Sequence, residues 1–440
     1  MIQLEDIIEC YFRLRKNKRN TADQVEFELH WEASCVKLYE DIVNRSMQPT
    51  AYTFIVYRPK MREIFASDLQ TRILHYYIDE RIRPILERIM TQKTFNNRKG
   101  MGQIACQNAV ISDIYEASNG FTRDCWIVGL DLKGCFPNIV QDIAYDQLRK
   151  AVEEHYQGDD KEDLLWILSR CVFSFATEHC YRKSKLYEWT GYPKEKSMFY
   201  KPPGIGACIG HLLWQIATNY YFHEIDLWCV ENFRWYNRYV DDMKIIITSK
   251  TALLLIPELR RRLADLGATL NEHKFYCQHY TKGTDCLGVH IKMDRIYPDN
   301  RIVYRAKQAM LRFNRKPREE RIEKFLSSMN SYFGVMKGTN GYARLRDVLD
   351  LMNPAWLEYV EWNKNRLCLQ AKSEYSERNR IIKKFNLIKN QHETRRERPA
   401  HPCAGRGTTE SLGSHAPKRR PCQQVYQARA GVSGDISGRV

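Results

Sequence analysis

No run in this chain is apolar for the roughly 20 residues that a bilayer span requires, and the N-terminus (MIQLEDIIECYF) is acidic, unlike a secretory leader. No C-x-x-C pair occurs among the fourteen cysteines, which stand singly from Cys10 to Cys422. Zinc sites and disulfide frameworks need closer spacing, so these read as reduced thiols and the expected compartment is the cytoplasm. Internal repeats are also missing. An acidic excess is lacking too: 69 Lys and Arg against 53 Asp and Glu give a net charge of +16. That balance favours a polyanionic partner, nucleic acid first, with a solvated basic surface or tail as the plainer explanation. The last fifty residues, Gln391–Val440, hold nine basic and four acidic residues, about +5, so the tail alone does not account for the charge. With 440 residues, 43% hydrophobic and 12% aromatic, the chain can bury a sizeable core.

Periodicity predicts helices over 1–47, in two amphipathic stretches (LEDIIECYFRLRK and FELHWEASCVKLYEDIV) joined by a basic segment. Tyr52–Tyr57 reads as a strand, Asp68–Ile89 as a helix, WIVGLD (126–131) as a short strand and Ile143–Val152 as a helix. Ile209–Trp228 reads as one long apolar helix. Two strand-like runs, Phe233–Tyr239 and Met243–Thr248, flank Asp241-Asp242. A helix over Ala252–Leu266 and strands at Lys274–Cys277 and Cys286–Lys292 follow. Strand, helix, hairpin, helix, strand is the order of a split β-α-β sheet with helices on one face, an α+β fold. Residues 303–370 read as helical and basic, and from about 390 Pro, Gly, Ser, Thr and Arg predominate, as in a flexible tail.

Asp131 ends the run WIVGLD, and Asp241 sits in the turn of RWYNRYVDDMKIIIT. Carboxylates from neighbouring strands suit a pair of hard, oxygen-preferring Mg²⁺ ions about 4 Å apart, with Asp242 as a support or second-site ligand. An Asp-Asp pair arises by chance about once in a chain this long, and an ordinary acidic turn is the competing reading. Asp159-Asp160, in the charged stretch QGDDKED with no flanking strands, serves as the comparison and reads as a solvated loop. Acids between two β-runs are costly unless something compensates them, which sets YVDD apart.

At this point the residues resemble the reverse transcriptases, over roughly 10–370. YVDD is similar to the Y-x-D-D box, and GLDLKGCF to the first palm box, whose Asp is followed five residues later by an aromatic. The resemblance implies a right-hand polymerase: N-terminal helices and fingers over 1–110, a catalytic palm over 111–295, a helical thumb over 296–372 and a basic flexible tail over 373–440. It implies an RNA-directed DNA polymerase that copies an RNA template with deoxynucleoside triphosphates, using two Mg²⁺ ions. Asp131 and Asp241 would be the ligands, with the Leu132 carbonyl as an extra one. Phe136 matches the steric gate against a ribose 2′-hydroxyl; outside the motif it would read as a core aromatic. Arg62 and Arg72 match fingers residues that grip the triphosphate, a task suited to charge-assisted hydrogen bonds; without the motif they read as surface arginines. Arg98-Lys99-Gly100 with Gly102 is similar to the segment over the template. Ile209-Gly210 would pack under the nascent base pair, Lys274 would protonate the pyrophosphate leaving group or, as a lysine after His273, simply pair with a phosphate or carboxylate, and Leu287-Gly288 resembles the primer-grip turn.

Within the family, the likeness runs to the enzymes of diversity-generating retroelements, through RKNKRN with FELHWE, RPKMREIFASDLQTRILHYY, NNRKGMGQIACQNAV, KSMFYKPPGIGACIGHLLWQIATNYYFHEID, HKFYCQHYTKGTDCLG and SMNSYFGVMKGTNGYARLR. Their third palm box resembles I-G-x-x-x-S-Q; here Gln215 is kept and Trp214 replaces Ser. A small basic accessory protein is a further partner this likeness suggests. Retron, group II intron and phage-defence enzymes are the near alternatives. A catalytically silent RNA-binding scaffold is the alternative of another class, against which the intact Asp131, Asp241 and Asp242 count. In the thumb, Arg305, Lys307, Arg312, Arg315, Lys316, Arg318 and Arg321 form a basic stripe suited to duplex backbone contacts, with Phe313 and Tyr332 interleaved, either among the contacts or in the core.

Overall fold

The two acidic motifs lie on neighbouring strands of one antiparallel sheet. The computed structural model describes residues 1–16, 22–57, 60–174, 177–363, 368–373 and 375, so most of the predicted tail, and the basic segment 17–21, fall outside the described residues. The described chain divides into two compact units, Met1–Gln278 and a second that begins at His279.

In the first unit β1 (Ala51–Val56) pairs antiparallel with β2 (Arg62–Ser67) and parallel with β4 (Cys180–Arg182). The larger sheet has the order β5 (Trp235–Tyr239), β6 (Asp242–Ile247), β3 (Trp126–Asp131), β7 (Tyr276–His279). Its register sets Asp131 opposite Asp242, and Tyr239 opposite the same Asp242. Because strand side chains alternate, Asp131, Gly129, Asp242 and Lys244 share one face, while Leu130, Val128, Met243 and Ile245 share the other. The latter four belong to the main core, together with Leu213, Ile216, Ala217 and Ile225 from helices α8 (Leu213–Tyr221) and α9 (His223–Asn232).

Around the sheets stand α1 (Leu4–Arg15), α2 (Ala22–Glu28), α3 (Trp31–Val43), α4 (Leu69–Ile89), α5 (Gln103–Ala117), α6 (Gln141–His155), α7 (Lys161–Val172) and α10 (Ile256–Asp265). Helix α4 starts where Asp68 accepts the Thr71 amide at 2.8 Å, an N-cap, and buries Ile73, Leu74, Tyr77, Ile78, Ile82, Ile85 and Leu86 along one stripe. Helix α5 also covers the β5–β6 edge, where Asn237 donates to the buried Asp113 at 2.6 Å. The second unit holds β8 (Thr284–Cys286), β9 (Val289–Lys292) and β10 (Arg295–Pro298), then α11 (Asn300–Asn314), α12 (Ile322–Lys337) and α13 (Tyr342–Leu349). Its separate core centres on Phe325 stacked on Trp356, ring centroids 4.1 Å apart, with Met310, Met329 and Phe333.

Several expectations need correction. Ile209–Trp228 is not one helix: Ile209 to His211 are non-helical, α8 begins at Leu213, and the chain turns again at Phe222. The Ile209 carbonyl instead accepts the Phe65 amide at 2.9 Å, and Gly210 sits at φ 117°, a backbone region closed to a helix. The second N-terminal stretch breaks between Glu28 and Trp31, and Lys274 lies in a 3₁₀ turn (Glu272–Lys274) ahead of β7. The single strand expected over Cys286–Lys292 is instead the end of β8, a turn at Leu287-Gly288 and β9, which with β10 belong to the second unit. Strands β2 and β4 and helices α5 and α7 were not foreseen.

Asp160 is no solvated loop residue. It is buried and accepts hydrogen bonds from the Tyr77 hydroxyl at 2.5 Å, the Tyr156 hydroxyl at 2.6 Å and Arg81 Nε at 2.5 Å, while Arg81 also reaches Asp6 at 2.8 Å. Burial raises the Asp160 carboxyl, but the donors of Tyr156, Tyr77 and Arg81 outweigh it and leave the group below its ordinary range. A depressed carboxyl contributes stability that is present above its unfolded pKa and lost as pH falls through the folded value. Removal of one partner of a buried pair costs about 3–5 kcal/mol. Asp160→Ala is therefore expected to lower the unfolding free energy by that order at pH 7, with the gap to wild type narrowing below about pH 4, measured by urea titration.

Candidate active site

Asp131 closes β3, and its carboxylate is met from two sides: Lys274 Nζ donates to Oδ1 at 2.6 Å and Asn271 Nδ2 to Oδ2 at 3.2 Å. The Asn271 amide also donates to the Asp131 carbonyl at 2.7 Å, so one short segment after α10 fixes both backbone and side chain. Asp241 occupies the two-residue turn between β5 and β6, and its carbonyl accepts the Leu132 amide at 2.9 Å. That bond ties the two acidic segments together. Asp242, half-buried, is paired with Lys244 Nζ from the same face of β6. Tyr276 lies over Gly129, where a Cβ would stand 2.2 Å from the ring, so a side chain at 129 would force the tyrosine aside.

The electrostatics follow from this crowding. Burial first, then the Asp131 carboxylate, pushes the Asp241 carboxyl above its ordinary range. Burial also raises Asp242, and the ammonium of Lys244 offsets this only in part. Acids between two β-runs needed compensation; here Lys274 and Lys244 provide it. Among the described residues no group of three His, Cys, Asp or Glu converges at metal-holding distance. The donor set nevertheless fits hard divalent cations: three carboxylates on adjoining backbone, plus the Leu132 carbonyl, which accepts no hydrogen bond among the described residues. Two lysine counter-ions stand where such cations would neutralise charge.

The remaining predicted residues fall into three groups. Arg62 is exposed at the start of β2 and Arg72 is half-buried in the first turn of α4; neither guanidinium has an ion pair among the described residues. The two positions flank the close approach of Ile209-Gly210 to Phe65, where a Cβ on Gly210 would meet the Phe65 carbonyl oxygen at 2.7 Å. Phe136 opens a 3₁₀ turn (Phe136–Asn138) after β3; it is half-buried, and its carbonyl accepts the Ala207 amide at 2.8 Å. Gln215 is half-buried in the first turn of α8, with Trp214 wholly in the core.

Arg98 departs from its expected role over the template. Its guanidinium is buried and donates to the carbonyls of Thr91 at 2.6 Å, Thr94 at 3.1 Å and Glu87 at 3.1 Å, so it shapes the loop from inside. Lys99 and Gly100 (φ 75°) are exposed beside it. Leu287 and Gly288 both have positive φ, 50° and 87°, forming the tight turn between β8 and β9 in the second unit. In that unit Arg305, Arg312, Arg315, Lys316 and Arg318 are exposed, Lys307 pairs with Asp347 at 3.1 Å, and Arg321 donates to the Lys316 carbonyl at 3.0 Å. Phe313 belongs to the core, and Tyr332, half-buried, packs against it.

Sequence reasoning missed Asn271, Lys244, Glu63 and Arg238. Glu63 is buried and accepts from Trp189 Nε1 at 2.7 Å, Ser197 Oγ at 2.8 Å and the Met198 amide at 2.7 Å, which fixes β2 beside Arg62. The signal for Arg238 was available: alternation places it on the apolar face of β5, next to Met243, where an arginine is anomalous.

A model of the family described as reverse transcriptase (RNA-dependent DNA polymerase) matches residues 58–291, more than half of the chain. The putative COX1/OXI3 intron 1 protein of Saccharomyces cerevisiae is 27% identical over 164 residues, which cover 37% of this chain and 16% of that protein. Among solved structures, apo telomerase from Candida tropicalis truncated from its C-terminal domain matches with a TM-score of 0.40 and 13% identity, over 61% of this chain and 60% of that one. Telomerase from Candida albicans with a fragment of telomeric RNA gives 0.39 and 12%, over 73% and 59%. The chain thus spans less than two thirds of each of these relatives. With the family match laid over both acidic strands, the chain belongs to the reverse transcriptase family.

Proposed function

We propose that this chain is an RNA-directed DNA polymerase that extends a primer on an RNA template with deoxynucleoside triphosphates, in the service of a diversity-generating retroelement. The observation that carries the polymerase reading is the acidic pair on adjoining strands: Asp131 opposite Asp242, with Asp241 tied to Leu132 by a 2.9 Å hydrogen bond. Bound Mg²⁺ would supply activation of a primer hydroxyl and neutralisation of the triphosphate, held by Asp131, Asp241, the Leu132 carbonyl and, alongside, Asp242. Lys274, half-exposed on Asp131, is placed to exchange that carboxylate for a phosphate oxygen as substrate arrives. Arg62 and Arg72 bind the triphosphate, their guanidiniums being unpaired by any described acid. Phe136 narrows the sugar site.

The retroelement assignment rests on the sequence blocks that resemble that subgroup, and the small basic accessory protein and the cytoplasmic compartment belong to the same reading. Among the described residues no helix is long and apolar enough to cross a membrane, and none of the twelve described cysteines, ten of them buried, is in a disulfide. A second reading, an intron-borne enzyme, is favoured by the likeness to the yeast intron 1 protein. Purified protein on an RNA template with Mg²⁺ and deoxynucleotides tests the activity, and absence of extension sinks it. An error spectrum concentrated at template adenines supports diversity generation; faithful copying favours the intron reading. Phe136→Ala is expected to raise ribonucleotide incorporation about 10- to 100-fold relative to deoxynucleotide, the range a pocket contact can discriminate. An unchanged sugar preference in a competition assay assigns Phe136 to the core alone.

A further inference from the structure

The side chains of Arg238 and Asp226 are both 0% exposed and form an ion pair beneath the acidic turn. Arg238 Nε and Nη2 donate to the two Asp226 oxygens at 2.7 and 2.6 Å, and Nη2 also donates to the Asn219 carbonyl at 2.9 Å. The third nitrogen, Nη1, donates to the Val240 carbonyl at 3.1 Å. Val240 is the first residue of the β5–β6 turn and has φ 56°, a left-handed conformation that a β-branched side chain resists. The next residue is Asp241.

The arginine is itself held at both ends. Its amide donates to the Lys93 carbonyl at 2.9 Å, and its carbonyl accepts the Phe95 amide at 3.0 Å. Asp226 is oriented further by the Tyr236 hydroxyl at 2.7 Å and Thr94 Oγ1 at 3.1 Å. Arg238 lies on the face of the sheet opposite Asp131 and Asp242, so it reaches the turn only through backbone. A buried ion pair is weak evidence of stabilisation by itself, because desolvation opposes the Coulombic gain. One fork arm aimed at the strained residue beside a proposed metal ligand is an arrangement that stability alone does not require.

We propose that Arg238, oriented by Asp226, is a positioning residue: by clamping the Val240 carbonyl it holds the turn in its left-handed form and so presents Asp241 towards Asp131. It touches neither substrate nor metal. The proposal rests on the polymerase reading for its kinetic arm, while its structural arm is independent of activity. Lysine keeps the charge but loses the planar fork, so Arg238→Lys should leave Asp226 paired and release Val240. Expected is a loss in kcat of about 10- to 100-fold, as for an angstrom-scale misplacement. The KM for deoxynucleotide should stay within about threefold, since ground-state binding is untouched. Val240→Gly added to that variant should restore about tenfold of the lost rate, because glycine adopts positive φ freely. By hydrogen exchange, the Leu132 amide, bonded to the Asp241 carbonyl, should exchange about tenfold faster in Arg238→Lys, reporting local opening of the turn.

Tyr236→Phe removes a different hydrogen bond to Asp226 and should leave both readouts near wild type. Should Arg238→Lys not fold, Asp226→Asn takes its place in the same measurements. The proposal is overturned by wild-type kcat and exchange in Arg238→Lys, by a loss that Val240→Gly does not restore, or by an equal loss in Tyr236→Phe. Wild-type protein that never extends a primer sinks the activity reading, and the exchange arm still decides the clamp.

Discussion

Asp241→Asn is expected to reduce primer extension at least about 10³-fold while raising the melting temperature of the metal-free protein. On the proposed two-metal reading, loss of rate follows from removing a negative ligand of the cations, a transition-state role that an amide cannot fill. The gain in stability follows from the site's own repulsion. Burial and the neighbouring Asp131 raise the Asp241 carboxyl in the folded protein. For an acid whose folded pKa exceeds the unfolded one, nothing is lost below the unfolded value, and stability declines as pH rises through the folded value. At pH 7 the wild type carries that full penalty and the asparagine variant does not. Asp241 is only partly withdrawn from solvent, so the gain is expected to be small beside the losses that core substitutions cause. Calorimetry at pH 7 and at pH 4 checks the sign: the advantage of the variant should shrink on the acid side. A variant that melts lower than wild type at pH 7 would place Asp241 in a stabilising network. Retained extension would move the metal assignment elsewhere.

Gly210→Ala is expected to cost about 2–3 kcal/mol and to depress deoxynucleotide kcat/KM about 10²-fold. Two independent strains meet at this residue. Its φ of 117° is open to glycine and to almost no other residue, and a Cβ would stand 2.7 Å from the Phe65 carbonyl oxygen and 3.1 Å from the Phe65 carbonyl carbon. These are backbone atoms of β2, so no rotamer change relieves the contact. The segment must withdraw, breaking the 2.9 Å bond from the Phe65 amide to the Ile209 carbonyl. On the proposed triphosphate role of Arg62 and Ile209-Gly210, these residues then lose their fixed spacing, which is why nucleotide use should suffer beyond the fall in stability. A fall in melting temperature with unchanged kcat/KM would limit Gly210 to a structural role.

Much of this molecule is legible in one dimension because its signals are local. The strand that ends at Asp131 announces itself as WIVGLD, and the hairpin as two β-runs around Val240-Asp241. The Asp68 cap and the apolar stripe of α4 are equally plain. Misreadings came where the deciding partner is distant in sequence. The apolar run from Ile209 looks helical until Phe65, 144 residues earlier by numbering, claims the Ile209 carbonyl as an extension of β2. Asp160 looks like a solvated acid until Tyr77 and Arg81 are brought onto it. Arg98 looks like a basic contact for nucleic acid until the carbonyls of Glu87 in α4 and of Thr91 and Thr94 enclose it.

The sequence by itself determined the chemistry: which residues are acidic at strand ends, and that the folded part is basic. Periodicity and residue type carry that information without reference to any partner. Only the tertiary structure decided what each charge faces. Lys274 and Asn271 stand on Asp131, Lys244 on Asp242, and Arg238 on Asp226 and Val240. The reason is physical: the worth of a charge depends on the groups within a few ångströms of it and on its withdrawal from water. Both are set by strand register and by helices packed from elsewhere in the chain.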